Sequence, residues 1–510
     1  MANIAFRDSS IVLIETGRSF IKAGLGVHDL LRAPSVEIQA RVGIRPPPDF
    51  SSYTRANSTL DALPSASTSR AASALPQPHP LPSARVTDYL VGTQLDDALA
   101  AGHDLVVSWP FADGKVHDWV QAEALWKHVL FTGLGLRRAQ NESPVLLTFF
   151  PGLPRDTYER AAQLFFERLN VAAFSILERP AAQLYAANTL TGVVVDIGTA
   201  HTDIALLSDG LPLHGGRTTV PVGTAHCERH LAHLLRGNTS VMGVLGSLDP
   251  AALDEALLAL AKQTWTTGLV RAPGANDSPL DADDEGVTDI AAVVVAGKEK
   301  AVIESGMKKR ATAKASAAEQ ARAREIEALD LTTVHFRGAE ITLGRERHRF
   351  IEPLFDAGVL HAMWAREGGA GKELGDDVGL VMPLQNAVGH AVGRVEVDQR
   401  QYIYNGLFVT GEIASLVKGI GAFLQQRLGP FVVTHEPHHQ NNDVQPRHVR
   451  LVKVPEYFAE FRDRGDGLAA FLGSSIVAKI SFHDGKHFVS KAEYTERGPK
   501  AVLEMSPSLL

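Results

Sequence analysis

The clearest alternation of hydrophobic and polar positions in this chain lies between residues 192 and 210. Residues 193–195 form a β-branched run that ends in the acid Asp196, Gly198 follows after one residue, and alternation resumes at 202–206. The pattern predicts a hairpin with a buried first strand and a tight turn that starts at a carboxylate. In such a turn, backbone N–H groups can face phosphate oxygens while the acid holds a metal ion or its waters.

The same pattern occurs about 180 residues earlier. Residues 11–14 are apolar, Glu15 is the acid, Gly17 follows after one residue, and a strand resumes over 19–25. A single acid at a strand end is most often only a turn residue. Because the pattern is used twice, we predict a duplicated fold in which two phosphate-binding hairpins face each other.

Hydrophobic periodicity predicts alternating strands and helices along the rest of the chain. Trp119 and Trp126 lie seven residues apart on one helix face and are interpreted as core side chains. This alternation is typical of an α/β fold with helices packed on sheets. Residues 340–355 are predicted as a short strand, a glycine turn, a second short strand and a helix. The other predicted strands are 105–109, 144–149, 174–177 and 405–410, and the predicted helices are 116–130, 155–169, 181–187, 224–235 and 254–264.

Composition narrows the class of protein. The 510 residues carry a net charge of −8, so any surface that binds a polyanion has to be local. Cys227 is the single cysteine, which excludes an internal disulfide and fits a reducing compartment. The first apolar run is interrupted by Glu15, and no apolar span is long enough for a bilayer. We therefore expect a cytosolic or nuclear protein that does not engage membranes.

Two segments depart from globular composition. Residues 46–82 are dominated by Pro, Ser, Ala and Thr, and are predicted to be a disordered insertion. Residues 271–331 form a second, charged insertion, in which an acidic loop precedes a basic, alanine-rich stretch over 298–324. The basic stretch favours a helix. It is interpreted either as a solvated helix or as a nuclear-localisation or DNA-backbone patch.

Histidines cluster on the predicted helix 224–235. Their spacing would allow a metal site on one helix face, and the alternative is a surface helix with scattered histidines. A second histidine-rich stretch lies further along, with no other ligand cluster near the first. The residues are His226, Cys227, His230 and His233 in the helix, and His435, His438 and His439 in the later loop.

Sequence motifs spread over most of the chain resemble the actin family and its actin-related proteins. The segments that carry the resemblance are 14–26, 110–126, 144–148, 192–210, 341–355, 395–412 and 488–499. The resemblance implies an α/β, actin-like ATPase fold, in which two duplicated α/β halves are divided into four subdomains around a nucleotide cleft. It places subdomain 1 at 1–36, 103–186 and 460–510, subdomain 2 at 37–102, subdomain 3 at 187–222 and 378–459, and subdomain 4 at 223–377. The insertions at 46–82 and 271–331 then fall in subdomains 2 and 4.

The resemblance also implies a nucleotide cleft, here with a degenerate set of residues. In the family, two aspartates and a glutamine organise a magnesium ion and the attacking water. Glu15 stands at the first aspartate, Asp196 keeps the second, and Arg179 takes the place of the glutamine. Further departures are Arg18 for a serine, Thr199 for an acid, Asp203 for a histidine and Glu412 for a glycine. The candidate cleft residues are Glu15, Gly17, Arg18, Lys22, Arg179, Asp196, Gly198, Thr199, Lys262 and Gly411.

The two arginines decide what the cleft is expected to do. Arginine cannot act as a base, because it keeps its proton in proteins, and its charge would repel Mg²⁺. Arg18 and Arg179 would either clamp phosphates without a metal or pair with Glu15 and Asp196 and fill the cleft. We therefore expect no catalytic residue, no metal site and no hydrolysis, with ATP binding without hydrolysis left open.

Residues 32–43 resemble the fungal actin-related subunits of the SWI/SNF and RSC chromatin remodellers. That likeness implies a non-catalytic nuclear scaffold, which binds a helix of the remodelling ATPase beside a second actin-related protein, contacts chromatin indirectly and supports transcription regulation. A groove with Trp119, Phe488 and Tyr494 is the expected docking site for the helix. The alternatives are a cytoplasmic, dynactin-type structural subunit and an active ATPase of the actin fold.

Overall fold

The computed structural model describes residues 6–27, 33–46, 84–274, 330–366, 382–432, 445–458, 461, 465–484 and 487–506. The chain divides into two units: Met1–Thr224, Leu360–Ser415 and Leu424–Leu510 form the first, and Ala225–Val359 and Leu416–Phe423 form the second. Most of the two predicted insertions and the histidines at 435, 438 and 439 lie outside the described residues. The division into four subdomains stays a prediction.

The strands are numbered along the chain, and all but β13 and β14 belong to the first unit. Their bounds are β1 Val12–Thr16, β2 Phe20–Leu25, β3 Val36–Gln39, β4 Val42–Ile44, β5 Leu90–Val91, β6 Val106–Ser108, β7 Pro144–Phe149, β8 Ala173–Glu178, β9 Gly192–Ile197, β10 Thr202–Ser208, β11 Leu211–Pro212, β12 Thr218–Val220, β13 Thr332–Phe336, β14 Ala339–Leu343, β15 Leu407–Thr410, β16 Leu451–Val452 and β17 Val489–Ser490.

The helices are numbered in the same way. Their bounds are α1 Thr93–Ala100, α2 Trp119–His128, α3 Arg155–Gln163, α4 Arg179–Ala186, α5 Thr224–Leu235, α6 Thr239–Leu245, α7 Pro250–Thr266, α8 Glu352–Phe355, α9 Ala357–Arg366, α10 Leu384–Gly393, α11 Val397–Tyr404, α12 Glu412–Leu416, α13 Ile420–Arg427, α14 Ala469–Asp484, α15 Lys491–Arg497 and α16 Ala501–Met505. Within the described ranges, no helix is long and apolar enough to cross a membrane.

Two sheets of the first unit follow one plan. The first has the order β17-β8-β7-β1-β2-β3, and the second has the order β11-β10-β9-β15-β16 with β12 also on β10. In each sheet, the first strand of a hairpin begins a run of three parallel strands. In the first sheet, β1 pairs with β7 and β7 pairs with β8. In the second sheet, β9 pairs with β15 and β15 pairs with β16. The shared plan confirms the predicted α/β fold of two similar halves.

Helix α14 packs directly on α4, the helix whose first residue is Arg179. A Cβ added at Gly473 of α14 would overlap the backbone carbonyl oxygen of Ala182 in α4. The hydroxyl oxygens of Ser474 and Thr148 lie 2.5 Å apart, so α14 also bonds to β7. Glycine at 473 is therefore a condition for the close approach of the two helices.

One local prediction in the second unit is wrong. The second short strand of segment 340–355 is instead a 3₁₀ helix, Arg345–Ile351, which follows β14 and leads into α8. Arg347 is 2% exposed, and its guanidinium donates to the carbonyl oxygens of Leu269 (2.9 Å) and Gly344 (2.6 Å) and to the carboxylate of Asp330 (2.7 Å). These bonds draw the chain into a tight turn. Asp330 takes part in these contacts, although it lies inside the predicted insertion 271–331.

The predicted aromatic groove is also wrong. Phe488 is 4% exposed and packs against Phe6 and Phe482, with ring centroids 5.5 and 5.3 Å away, in one hydrophobic core. Trp119 and Tyr494 border a different core. A large aromatic ring gains most by filling a hydrophobic core, as Phe488 does here. The spacing of aromatic residues along the chain did not reveal that Phe488 is a core residue.

Candidate functional site

The two hairpins turn in the same way. In each, the glycine after the acid donates its N–H to the carbonyl oxygen three residues on: Gly17 to Phe20 and Gly198 to His201, both at 2.9 Å. A Cβ at either glycine would lie 2.9 Å from that same oxygen. The prediction of two equivalent hairpins is thus confirmed at the level of individual hydrogen bonds.

Arg179 joins the two hairpins. Its Nη1 donates to Oε1 of Glu15 at 2.6 Å, and its Nε donates to Oδ2 of Asp196 at 2.6 Å. Gln183, one turn later on α4, donates to the same Asp196 oxygen at 2.8 Å. Burial alone would lower the pKa of Arg179, but Asp196 and Glu15 outweigh burial and raise it. The guanidinium is therefore a permanent cation between two carboxylates.

Arg18 makes a second bridge between the hairpins, to a partner that the sequence did not indicate. Its Nη2 lies 2.9 Å from both carboxylate oxygens of Asp203 on β10, and its Nη1 donates to the Ala112 carbonyl oxygen at 3.2 Å. Thr219 donates to Asp203 at 2.6 Å. Burial would raise the pKa of Asp203, but Arg18 and Thr219 more than offset burial and lower it.

These contacts can be compared with the pairing that was expected as one alternative for the two arginines. Arg179 pairs with Glu15 and Asp196, as one alternative predicts. For Arg18 the expectation of pairing with the same two acids is wrong, because it pairs with Asp203. Since Asp203 stands opposite Asp196 in the β9–β10 register, two like charges face each other there and each requires its own cation.

The remaining candidate residues are placed as follows. Lys22 Nζ lies 3.5 Å from the Gly467 carbonyl oxygen, and the Thr199 hydroxyl lies 3.4 Å from that of Ser19. Gly411 follows β15 at φ +107°, where a Cβ would overlap the Ile197 carbonyl oxygen. Nine of the ten candidates thus belong to the first unit, and Lys262 lies on α7 in the second.

The residues at these positions do not fit a magnesium–nucleotide centre. Mg²⁺ is held by free carboxylate oxygens and waters, whereas Glu15 and Asp196 are each already paired with Arg179. Among the described residues, Glu15 Oε2 and Gln183 Oε1 are buried without a hydrogen-bond partner, so a neutral donor could bind there. Beside a guanidinium, the same oxygens do not favour a divalent cation. Two carboxylates around one cation also repel phosphate.

Three residues of this site were not among the candidates from the sequence. Asp203 was identified only as a departure from the family, and Gln183 and Thr219 were not identified. The sequence contained one signal that could have identified Gln183. Residues four apart on a helix share a face, and Gln183 lies four residues after Arg179. The sequence contained no such signal for Thr219, because Thr219 comes close to Asp203 only through the pairing of β12 with β10.

The histidine helix carries no metal site in the part of the chain that is described. There, no group of three His, Cys, Asp or Glu side chains is arranged to hold a metal ion. The surface interpretation is wrong for His226 and His230, which are 6% and 4% exposed. His230 lies 2.9 Å from a carboxylate oxygen of Glu352, and burial lowers its pKa although Glu352 opposes this.

The chain matches a known protein family over most of its length. The family model for actin matches residues 7–249 and 285–505. The chain belongs to the actin family. A curated relative, the SWI/SNF and RSC complexes subunit arp9 of Schizosaccharomyces pombe, is 24% identical over 98% of this chain and 99% of its own length. A second curated relative, actin-related protein 7 of Arabidopsis thaliana, is 25% identical over 77% of this chain and 83% of its own length.

Proposed function

We propose that this protein is a non-catalytic, actin-related scaffold subunit of a SWI/SNF- or RSC-type chromatin-remodelling complex in the nucleus. In this proposal it binds a helical segment of the remodelling ATPase beside a second actin-related protein, contacts chromatin only indirectly and supports transcription regulation. The chain serves as a scaffold for assembly, and it does not hydrolyse ATP.

The observation that carries the proposal is the pairing of Arg179 with both Glu15 and Asp196 at 2.6 Å. Phosphoryl transfer relies on metal ions and fixed cations that neutralise the phosphate oxygens. In this chain, a side chain that cannot give up its proton ties the two acids to each other instead. Because Arg179 links the two acids, the cleft favours the role of a scaffold over that of an enzyme that hydrolyses ATP.

The relatives support the choice of complex. The match to arp9 covers both chains almost from end to end, so the similarity includes the whole body rather than a shared hairpin. Fold alone does not fix function, and the assignment to a remodelling complex is therefore an inference from that relative. The groove with Trp119, Phe488 and Tyr494 is not part of this proposal, because Phe488 is in the core.

Native affinity purification of the tagged, full-length protein, followed by mass spectrometry, tests the proposal. We expect a remodelling ATPase and a second actin-related protein to co-purify in comparable amounts, from nuclear extract and not from cytosol. An untagged strain processed in parallel is the control for background. Recovery of dynactin subunits from the cytosol, or of no ATPase subunit at all, would contradict the proposal.

A further inference from the structure

The second sheet ends in a strand whose outer side is unpaired among the described residues. β16 pairs only with β15, in parallel. The Leu407 N–H donates to the Arg450 carbonyl oxygen at 3.0 Å, so the backbone groups of residues 450 and 452 turn towards β15. Because the direction alternates along a strand, the N–H and C=O groups of Leu451 and the N–H of Lys453, which shares a peptide plane with the Val452 C=O, turn outwards. Such a row is a template for one further strand.

A concavity of about 370 Å³ lies beside this edge. One wall is the edge itself, residues 450–453 with Pro455, and the other is formed by residues 187–189, just after α4, and by Asn405, just after α11. Both walls lie in the first unit. Away from the edge, the lining consists of Ala187 and of three short polar side chains, Asn188, Thr189 and Asn405, which can bond a peptide backbone.

The edge is positively charged. Arg450 and Lys453 are exposed, and neither forms an ion pair within the described part of the chain. No carboxylate is among the residues that line the concavity. Tyr402 on α11 and Tyr457 after the edge are 67% and 66% exposed. Tyrosine and arginine are among the residue types that most often contribute the binding energy of protein interfaces.

We infer that the β16 edge is a docking site for an extended, acidic segment of a partner protein. The segment adds as a strand beside β16, bonds the outward backbone groups of Leu451 and Lys453, and places carboxylates against Arg450 and Lys453. Main-chain bonds give such strand addition its affinity, and the flanking side chains select the sequence. The inference does not depend on the proposed remodelling complex, because it rests on this edge alone.

A short fluorescent peptide tests the inference by anisotropy with the full-length protein. The peptide is built from glutamate, valine and threonine and is about six residues long, the usual length of a strand. We expect the double variant Arg450→Glu and Lys453→Glu to bind it roughly tenfold more weakly or worse, since both charge contacts become repulsive. The matched control, Lys115→Glu with Lys500→Glu, reverses two exposed cations elsewhere in the first unit and should bind as the parent does.

Two further peptides separate strand addition from simple charge attraction. A version with glutamine for glutamate should bind weakly, and a version with alternate backbone nitrogens methylated should also lose binding, because it cannot donate to the edge. Absence of binding by the parent protein, equal binding by the double variant or equal binding of the methylated peptide would each overturn the inference. So would a single-stranded DNA that binds as tightly and is lost in the same variant, because the edge would then be a general polyanion surface.

Discussion

The variant Arg179→Gln is expected to lose about 3 kcal/mol of the free energy of unfolding, because removing one partner of a buried ion pair leaves the other charge uncompensated. Glu15 keeps only 3% of its exposure, and Asp196 keeps 15% of its side-chain exposure. Glutamine can donate to one of these carboxylates but cannot neutralise either. We take the lower end of the range for buried pairs, since the Arg179 side chain is itself 20% exposed.

Urea unfolding of the full-length protein measures this loss. The matched control is Arg497→Gln, which breaks the pair of Arg497 with Glu504 in the same unit, where the side chains are 41% and 67% exposed. Exposed pairs contribute at most about 1 kcal/mol, so the control should change little. A double variant, Arg179→Gln with Glu15→Gln, removes one of the two stranded charges and should regain part of the loss. Equal stability of Arg179→Gln and Arg497→Gln would contradict the assignment of Arg179 as the link between the hairpins.

The second large effect is expected at Gly473, where even the single methyl group of an alanine would overlap the neighbouring helix. A Cβ at this position meets the Ala182 backbone, which cannot rotate away as a side chain can. Helix α14 would have to move off α4, and we expect Gly473→Ala to cost about 3 kcal/mol, the upper end of the usual cost of overpacking. The movement would also shift the start of α4 and with it Arg179.

Gly393, the last residue of α10, is the matched control for Gly473. It lies in the same unit, and a Cβ there would meet nothing within 4 Å. Alanine is the better helix former, so Gly393→Ala should leave stability within about 1 kcal/mol of the parent or raise it. Urea unfolding curves of the two variants, recorded side by side, check the prediction. It fails if Gly473→Ala unfolds at the same urea concentration as Gly393→Ala.

Local patterns were enough to predict most of the framework. β7 was predicted at the residues where it occurs, and β9 and β10 were predicted from the acid-and-glycine pattern, because strand alternation and turn residues act over a few positions. Helix α5 was likewise predicted at its observed bounds. Such features depend on neighbours in sequence and not on the rest of the fold.

The partners of the charged side chains could not be predicted in this way. Arg179 lies 164 residues from Glu15, and Arg18 lies 185 residues from Asp203. His230 likewise lies 122 residues from Glu352, so the spacing of histidines on α5 did not reveal which of them is buried. Gly473 carried no turn signal, because its role is to let two distant helices approach. Each of these facts depends on tertiary packing, which the pattern along the chain does not contain.

Single-turnover hydrolysis of Mg²⁺–ATP at stoichiometric protein tests the central claim most directly. The claim is that Arg179 ties Glu15 to Asp196 and leaves no pair of carboxylates for a metal ion. With an active actin-fold ATPase as the positive control, we expect this protein to release no phosphate above the background of nucleotide alone. A burst of phosphate that approaches one equivalent per protein, at the rate of the active control, would contradict the claim.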